Sequence, residues 1–347
     1  MSLQGNPYGC HRVLKPAGVL PQPALKISND MNRIWDNEIL VDVDILNIDS
    51  ASFTQIKEQA GGDSGKIGEI ILSIIERAGK MKNPVTGSGG MFIGTVRTIG
   101  EKLKGQIDLE EGDKIASLVS LSLTPLKIDR ILEIKKDIDQ VIIKGQAILF
   151  ETGLYARLPE DIPPSLSLAV LDVCGAPAQV ARMVKSGDTV VIIGAGGKSG
   201  ILCSYEAKRR AGVCGKVIGI DYSEECLDRL RSLDLCDHVV KLDAGNAVSC
   251  YEAISELTEG DMADLVINNV NIPTTEMGSI LMTKDRGMVY FFSMSTSFTK
   301  AALGAEGVGK DIDMIVGNGY ARHHAQIALN ILRESPEIRT LYEKLYS

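Results

Sequence analysis

Two regimes of hydrophobic patterning divide the chain near residue 160. Up to that point the apolar positions gather in short β-like runs, at residues 39–45, 91–99, 114–121, 140–143 and 147–150, separated by Gly, Asp and Pro. One stretch departs from this, because Ile67, Ile70, Ile71, Ile74 and Ile75 recur at helical spacing and predict a helix over residues 66–80. Beyond Pro163 strands alternate with helices. Residues 165–183 read as helical, and the wholly apolar run Val190-Val191-Ile192-Ile193 then reads as a buried parallel strand. Strands at 216–220, 238–240, 265–267, 288–292 and 313–316 follow, interleaved with helices at 199–211, 224–232, 247–257, 274–281 and 321–332.

Six strands in that rhythm predict an α/β protein whose second half is a Rossmann-type doubly wound parallel sheet. The expected organisation is a β-rich substrate and catalytic domain over residues 1–160, a nucleotide-binding domain over 161–320, and a helical segment over 321–347 that closes the fold. A length of 347 residues suits two cores rather than one.

Composition leaves this picture intact. With 44% hydrophobic and 24% charged residues the chain is an ordinary globular one. No apolar stretch approaches the roughly 20 residues of a membrane helix, and the first residues lack the pattern of a secretory signal, so a cytoplasmic protein is expected. The seven cysteines are odd in number and form no C-x-x-C pair, which points to free thiols. A net charge of −8 speaks against nucleic acid and for a small-molecule partner.

The chemistry begins at Gly194-Ala195-Gly196-Gly197-Lys198-Ser199-Gly200, which follows the apolar strand and opens a helix. That context marks a dinucleotide-binding turn: Gly194 for the tight turn, Gly196 for close approach of a pyrophosphate, and the helix N-terminus for partial positive charge. Ser199 stands where a third glycine is expected and Gly200 follows it, so the match is to G-x-G-x-x-x-G. A triphosphate-binding loop is excluded, because the glycine it needs five residues before Gly197 is Ile192. Asp221, at the end of the second strand, is placed to accept from adenosine ribose hydroxyls and to repel a 2′-phosphate, so NAD is the expected cofactor. Asn269, Val270 and Ser293 follow later strands, at the edge where ligands bind in such sheets.

With these residues in place the chain resembles the medium-chain dehydrogenase/reductase superfamily, in which a GroES-like β-domain precedes a Rossmann domain. The resemblance is carried by Gly94-Thr95-Val96-Arg97-Thr98-Ile99-Gly100, Gly112-Asp113-Lys114-Ile115 and Arg157-Leu158-Pro159, and by the nucleotide turn. Zinc-dependent members carry G-H-E where this chain has Gly89-Gly90-Met91. Asp49 stands near another ligand position, Cys174 alone falls near a third, and the four-cysteine lobe is missing, so no metal is expected. The segments 6–13, 18–24 and 171–179 are similar to a zinc-free, amine-oxidising branch. That similarity implies NAD-dependent oxidative deamination of a short diamino acid by a homo-oligomer, a dimer or tetramer, acting in the cleft between its two domains.

Such a reaction needs a base, carboxylates for ammonium groups and a cation for the substrate carboxylate. Asp49 and Glu151 are the candidates for base or ammonium-binding chemistry, with His11 as base or proton shuttle. Arg12 is the candidate carboxylate clamp, Tyr8 an orienting group and Cys174 a substrate contact. Each has an ordinary alternative as a loop, surface or core residue. Two other functions fit the same turn: a zinc-free NAD(P)H-dependent quinone or enoyl reductase, against which Asp221 weighs, and a non-catalytic dinucleotide-binding sensor.

Overall fold

Local backbone chemistry sets the boundaries of the first elements. We describe a computed structural model of the chain that covers residues 4–293, 295–317 and 319–346. Short strands β1 (Val13–Lys15) and β2 (Lys26–Ile27) form an antiparallel pair. The long strand β3 (Glu38–Asn47) follows and runs into helices α1 (Ser50–Gln59) and α2 (Ser64–Ala78). In α2 the Asp63 carboxylate accepts from the Lys66 N–H at the first turn, and Gly79, at φ 75°, stops the helix. The helix predicted at 66–80 therefore runs two residues earlier at each end.

Strands β4 (Met91–Ile99), β5 (Lys114–Ser117), β6 (Leu126–Lys135), β7 (Gln140–Phe150) and β8 (Tyr155–Arg157) complete a six-stranded sheet in the order β6-β7-β3-β4-β5-β8, every pairing antiparallel. The separate runs predicted at 140–143 and 147–150 are one strand. Gly145 interrupts the apolar pattern between them because a Cβ there would stand 2.4 Å from the Lys127 carbonyl oxygen. Isoleucines of α2 pack with Val41, Phe92, Val96 and Val141 from the sheet into one core.

The second half begins with α3 (Pro164–Leu171) and α4 (Gly175–Met183). It continues as β9 (Thr189–Ile193), α5 (Lys198–Ala211), β10 (Lys216–Asp221), α6 (Glu224–Leu233), β11 (His238–Lys241), α7 (Ala247–Leu257) and β12 (Ala263–Asn268). Then come α8 (Glu276–Leu281), β13 (Thr283–Phe291), α9 (Phe298–Gly307), β14 (Asp313–Val316), α10 (His324–Glu334) and α11 (Pro336–Tyr346). The sheet order is β11-β10-β9-β12-β13-β14, all parallel. This is the doubly wound order read from the strand rhythm, with its reversal between β9 and β12. Val190–Ile193 are fully buried at the centre of the sheet, as their unbroken apolar run requires.

By its contacts the chain divides into two compact units, Met1–Pro164 and Ser165–Ser347. Helices α10 and α11 lie within the second unit. Among the described residues no helix is long and apolar enough to cross a membrane.

Gly79→Ala tests the α2 stop. A Cβ at this left-handed position would stand 2.1 Å from the Ile27 carbonyl oxygen, so the variant should lose about 1–3 kcal/mol and unfold at lower urea, whereas Gly62→Ala, with open space around it, should lose less. Equal midpoints for the two variants would refute this account of the stop.

Candidate functional site

The turn after β9 is built by close backbone approach. Gly194 has φ 73°, and a Cβ on it would lie 2.6 Å from Cγ1 of Val270. At Gly196 a Cβ would lie 2.3 Å from the Cys226 carbonyl oxygen, and at Gly200 only 2.0 Å from that of Gly194. The packing role of a third glycine thus falls to Gly200, one residue later than the usual spacing, because it is there that α5 crosses the end of β9. Gly197 is the N-cap of α5 and offers no side-chain cap, so the first amides, at Lys198, Ser199 and Gly200, have no side chain capping them. An anion facing these amides would meet both their donors and the positive end of the helix.

Asp221 ends β10 beside this turn. Its Oδ2 accepts from the Gly196 N–H at 3.1 Å and its Oδ1 from the Ser223 N–H at 3.2 Å, which fixes the carboxylate and leaves each oxygen a second lone pair. A cleft of ≈ 290 Å³ opens alongside, with Ile193, Ile220, Leu242, Val270 and Ile272 as apolar walls and Asp221, Tyr222 and Asp243 at its polar edge. No Lys or Arg lines it. Sequence reasoning found Gly194, Asp221 and Val270 but missed Tyr222, Leu242, Asp243 and Ile272. All four were open to the same rule, since residues following a parallel strand line the crevice: Tyr222 follows β10, Leu242 and Asp243 follow β11, and Ile272 lies in the loop after β12.

Other expected residues surround the turn. Asn269 lies at the end of β12, where its Oδ1 accepts from the Cys203 thiol and its buried Nδ2 has no partner. An orphaned donor at the strand reversal, together with the glycine cradle that any Cβ would fill, fits a dinucleotide. The Ser293 hydroxyl donates to Asn271 Oδ1 at 3.3 Å. The Lys198 ammonium pairs with Asp172 at 2.7 Å and lies 5.6 Å from the centre of the Tyr346 ring. The buried Tyr342 hydroxyl donates to the Lys198 carbonyl, so α11 braces the start of α5. No motif in the sequence announces that brace.

In the first unit His11 and Arg12 share the partner Glu38, Glu151 is held by Lys102 and Asn37, and Asp49 caps α1. Glu38 is fully buried and receives the Arg12 guanidinium through Nε at 2.8 Å and Nη2 at 2.6 Å, with the Trp35 N–H at 3.0 Å. The remaining Arg12 donors reach the carbonyls of Asp30 and Arg33. His11 accepts the Asn6 N–H at Nδ1, so Nε2 carries the proton that it donates to Glu38 at 2.7 Å. Both side chains are thus engaged by the protein itself. Burial pushes the Glu38 carboxyl up, but the bonds from Arg12 and His11 and the charge of Arg12 outweigh it and hold the group below its ordinary value.

Glu151 accepts from the Lys102 ammonium at 2.8 and 2.9 Å and from Asn37 at 3.0 Å, and these partners hold it ionised. Asp49 caps α1, accepting from the Ser52 N–H at 3.1 Å and its hydroxyl at 3.3 Å. Ser52 in turn contacts the hydroxyls of Thr86 at 2.5 Å and Ser88 at 2.7 Å. Tyr8 is exposed and lines a mainly apolar cavity of ≈ 200 Å³ with Leu20, Leu123, Ile148 and Phe150. Cys174 is buried, and desolvation, with Asp172 nearby, pushes its thiol up to about 12. It is a protonated group at neutral pH. Among the described residues no three His, Cys, Asp or Glu side chains converge as a metal site would require.

The strand order and the glycine turn define a fold shared with medium-chain reductases. Escherichia coli quinone oxidoreductase complexed with NADPH matches it at a TM-score of 0.53 and 17% identity, over 86% of this chain and 79% of that one. Residues 11–159 match the model of the L-erythro-3,5-diaminohexanoate dehydrogenase N-terminal domain. The chain is 59% identical to L-erythro-3,5-diaminohexanoate dehydrogenase of Acetoanaerobium sticklandii, over 99% of this chain and 100% of the relative. It is 57% identical to the Fusobacterium nucleatum subsp. nucleatum protein of the same name, over 99% of each. The chain belongs to the L-erythro-3,5-diaminohexanoate dehydrogenase family and is an oxidoreductase.

Glu38→Gln should lower stability by about 3–5 kcal/mol, because it strands the buried Arg12 charge. A carboxyl whose folded value lies below its unfolded value of 4.5 stabilises the fold above that pH and loses the effect as pH falls. Melting temperatures of wild type and variant should therefore converge below pH 4.5. A gap that stays constant from pH 7 to pH 3.5 would rule out this linkage.

Proposed function

We propose that the chain catalyses NAD-dependent oxidative deamination of L-erythro-3,5-diaminohexanoate to 5-amino-3-oxohexanoate. The observation that carries this reading is identity of 57–59% over nearly the whole length of two relatives with that substrate in their names. The glycine turn and its cleft support the cofactor assignment. The N–H groups opening α5 would hold the pyrophosphate and Asp221 the adenosine ribose, while the orphaned Asn269 Nδ2 would find an acceptor on the cofactor. Two carboxylates and no cation at the cleft edge favour NAD over its 2′-phosphorylated form.

The bound nicotinamide would supply a hydride acceptor for the carbon that bears the 3-amino group. The protein must first take a proton from that ammonium, since only the free amine can release hydride. It must then admit a water that adds to the resulting iminium carbon. The products are ketone, ammonium, reduced cofactor and one proton. We assign the proton acceptor to Asp49, supported by its place at the end of β3 and by the hydroxyls of Ser52, Thr86 and Ser88 beside it. Glu151, held as an ion by Lys102, is less suited to this role.

Purified protein with NAD and L-erythro-3,5-diaminohexanoate should form reduced cofactor and ammonium in equal amounts. Turnover of a quinone with NADPH, and none of the diamine, would overturn the assignment. Asp49→Asn should reduce kcat by about 100-fold or more with little change in NAD affinity; a variant as active as wild type removes Asp49 as the base. Asp221→Ala should weaken NAD binding by about tenfold and narrow the preference over NADP, and unchanged selectivity would count against the ribose contact.

A further inference from the structure

The edge of the cleft beyond Asp221 carries a second carboxylate, Asp243, whose contribution above is only its charge. In the parallel register Asp221 of β10 pairs with Lys241 of β11, and Asp243 stands two residues past that partner. Adjacent strands are about 4.8 Å apart, the scale of a purine ring. A base attached to a ribose held at Asp221 would extend between the apolar walls of Leu242, Val270 and Ile272, with its edge toward Asp243. The Asp243 carboxylate is fixed: its Oδ1 accepts from the Gly245 N–H at 2.9 Å. Its Oδ2 has no partner among the described residues. The opposite loop closes on this point, since a Cβ on Gly245 would lie 3.7 Å from Thr274 Oγ1.

We propose that Asp243 determines base specificity, accepting a hydrogen bond from the exocyclic amino group of the adenine and thereby selecting a 6-aminopurine dinucleotide over a 6-oxopurine one. The inference rests on the cofactor reading of the cleft. A carboxylate is an acceptor only, so an amino group satisfies it, whereas a 6-oxo group sets two acceptors against each other. A site built around one hydrogen bond rejects an analogue that cannot make it. Asp243 differs in role from Asp221, which faces the sugar and discriminates at the 2′ position.

Calorimetric titration of wild type, Asp243→Asn and Asp243→Ala with NAD and with nicotinamide hypoxanthine dinucleotide separates the possibilities without any substrate. Wild type should bind NAD at least about tenfold more tightly than the hypoxanthine form. Asp243→Asn keeps an acceptor for Gly245 and gains a donor for the 6-oxo group, so its ratio should fall to about threefold or less while its melting temperature stays near wild type. Asp243→Ala should also lose discrimination, through weaker NAD binding. A ratio near one in wild type, or a ratio unchanged in Asp243→Asn, overturns the proposal while leaving the cofactor reading in place. Failure of wild type to bind either dinucleotide overturns both.

Discussion

Everything in the second unit turns on how closely α5 can begin over the end of β9. The Gly194 carbonyl oxygen lies where a side chain on Gly200 would be, and that contact exists only because position 200 has no Cβ. It points the amides opening α5 toward the crevice where the sheet order reverses. The same closeness brings Gly196 under the first turn of α6 and lets its N–H reach Asp221. A phosphate-binding helix end and a ribose-binding carboxylate are therefore parts of one backbone arrangement. The spacing of the glycines differs from the familiar one, but the steric demand is the same.

The first unit is organised around a different constraint. Glu38 is fully buried, so its charge must be answered from within, and Arg12, His11 and the Trp35 amide answer it. The residues committed to that task are those whose chemistry looks most catalytic in the bare sequence. A guanidinium with an imidazole beside it near the N-terminus serves as well to neutralise a buried carboxylate as to hold a substrate. Asp49 stands apart, because its neighbours Ser52, Thr86 and Ser88 are hydroxyls that accept and donate and no cation occupies it.

The parallel sheet is nearly complete in the sequence, because buried strands such as Val190–Ile193 carry unbroken apolar runs and alternate with helices in a regular rhythm. Strand β6 was invisible for the opposite reason. It is an edge strand with Lys127, Asp129, Arg130, Glu133 and Lys135 along it, so no alternation marks it, and its charges protect the open edge. Helix α1 escaped notice because its sequence, SASFTQIKEQ, buries only Ser52, Phe53 and Ile56. In the site, motif-borne residues were legible and pairings were not. Nothing local in the sequence ties Arg12 to Glu38 or Glu151 to Lys102. Such partners meet only when distant strands are aligned.

The brace between Tyr342 and the Lys198 carbonyl joins positions 144 residues apart. On a ribosome adding about 5–20 residues each second, the glycine turn emerges roughly 7–30 s before the tyrosine that supports it. Through that interval the nascent turn has its glycines but lacks its buttress. Securing the nucleotide turn is thus coupled to late synthesis, because its brace can form only once α11 has been made.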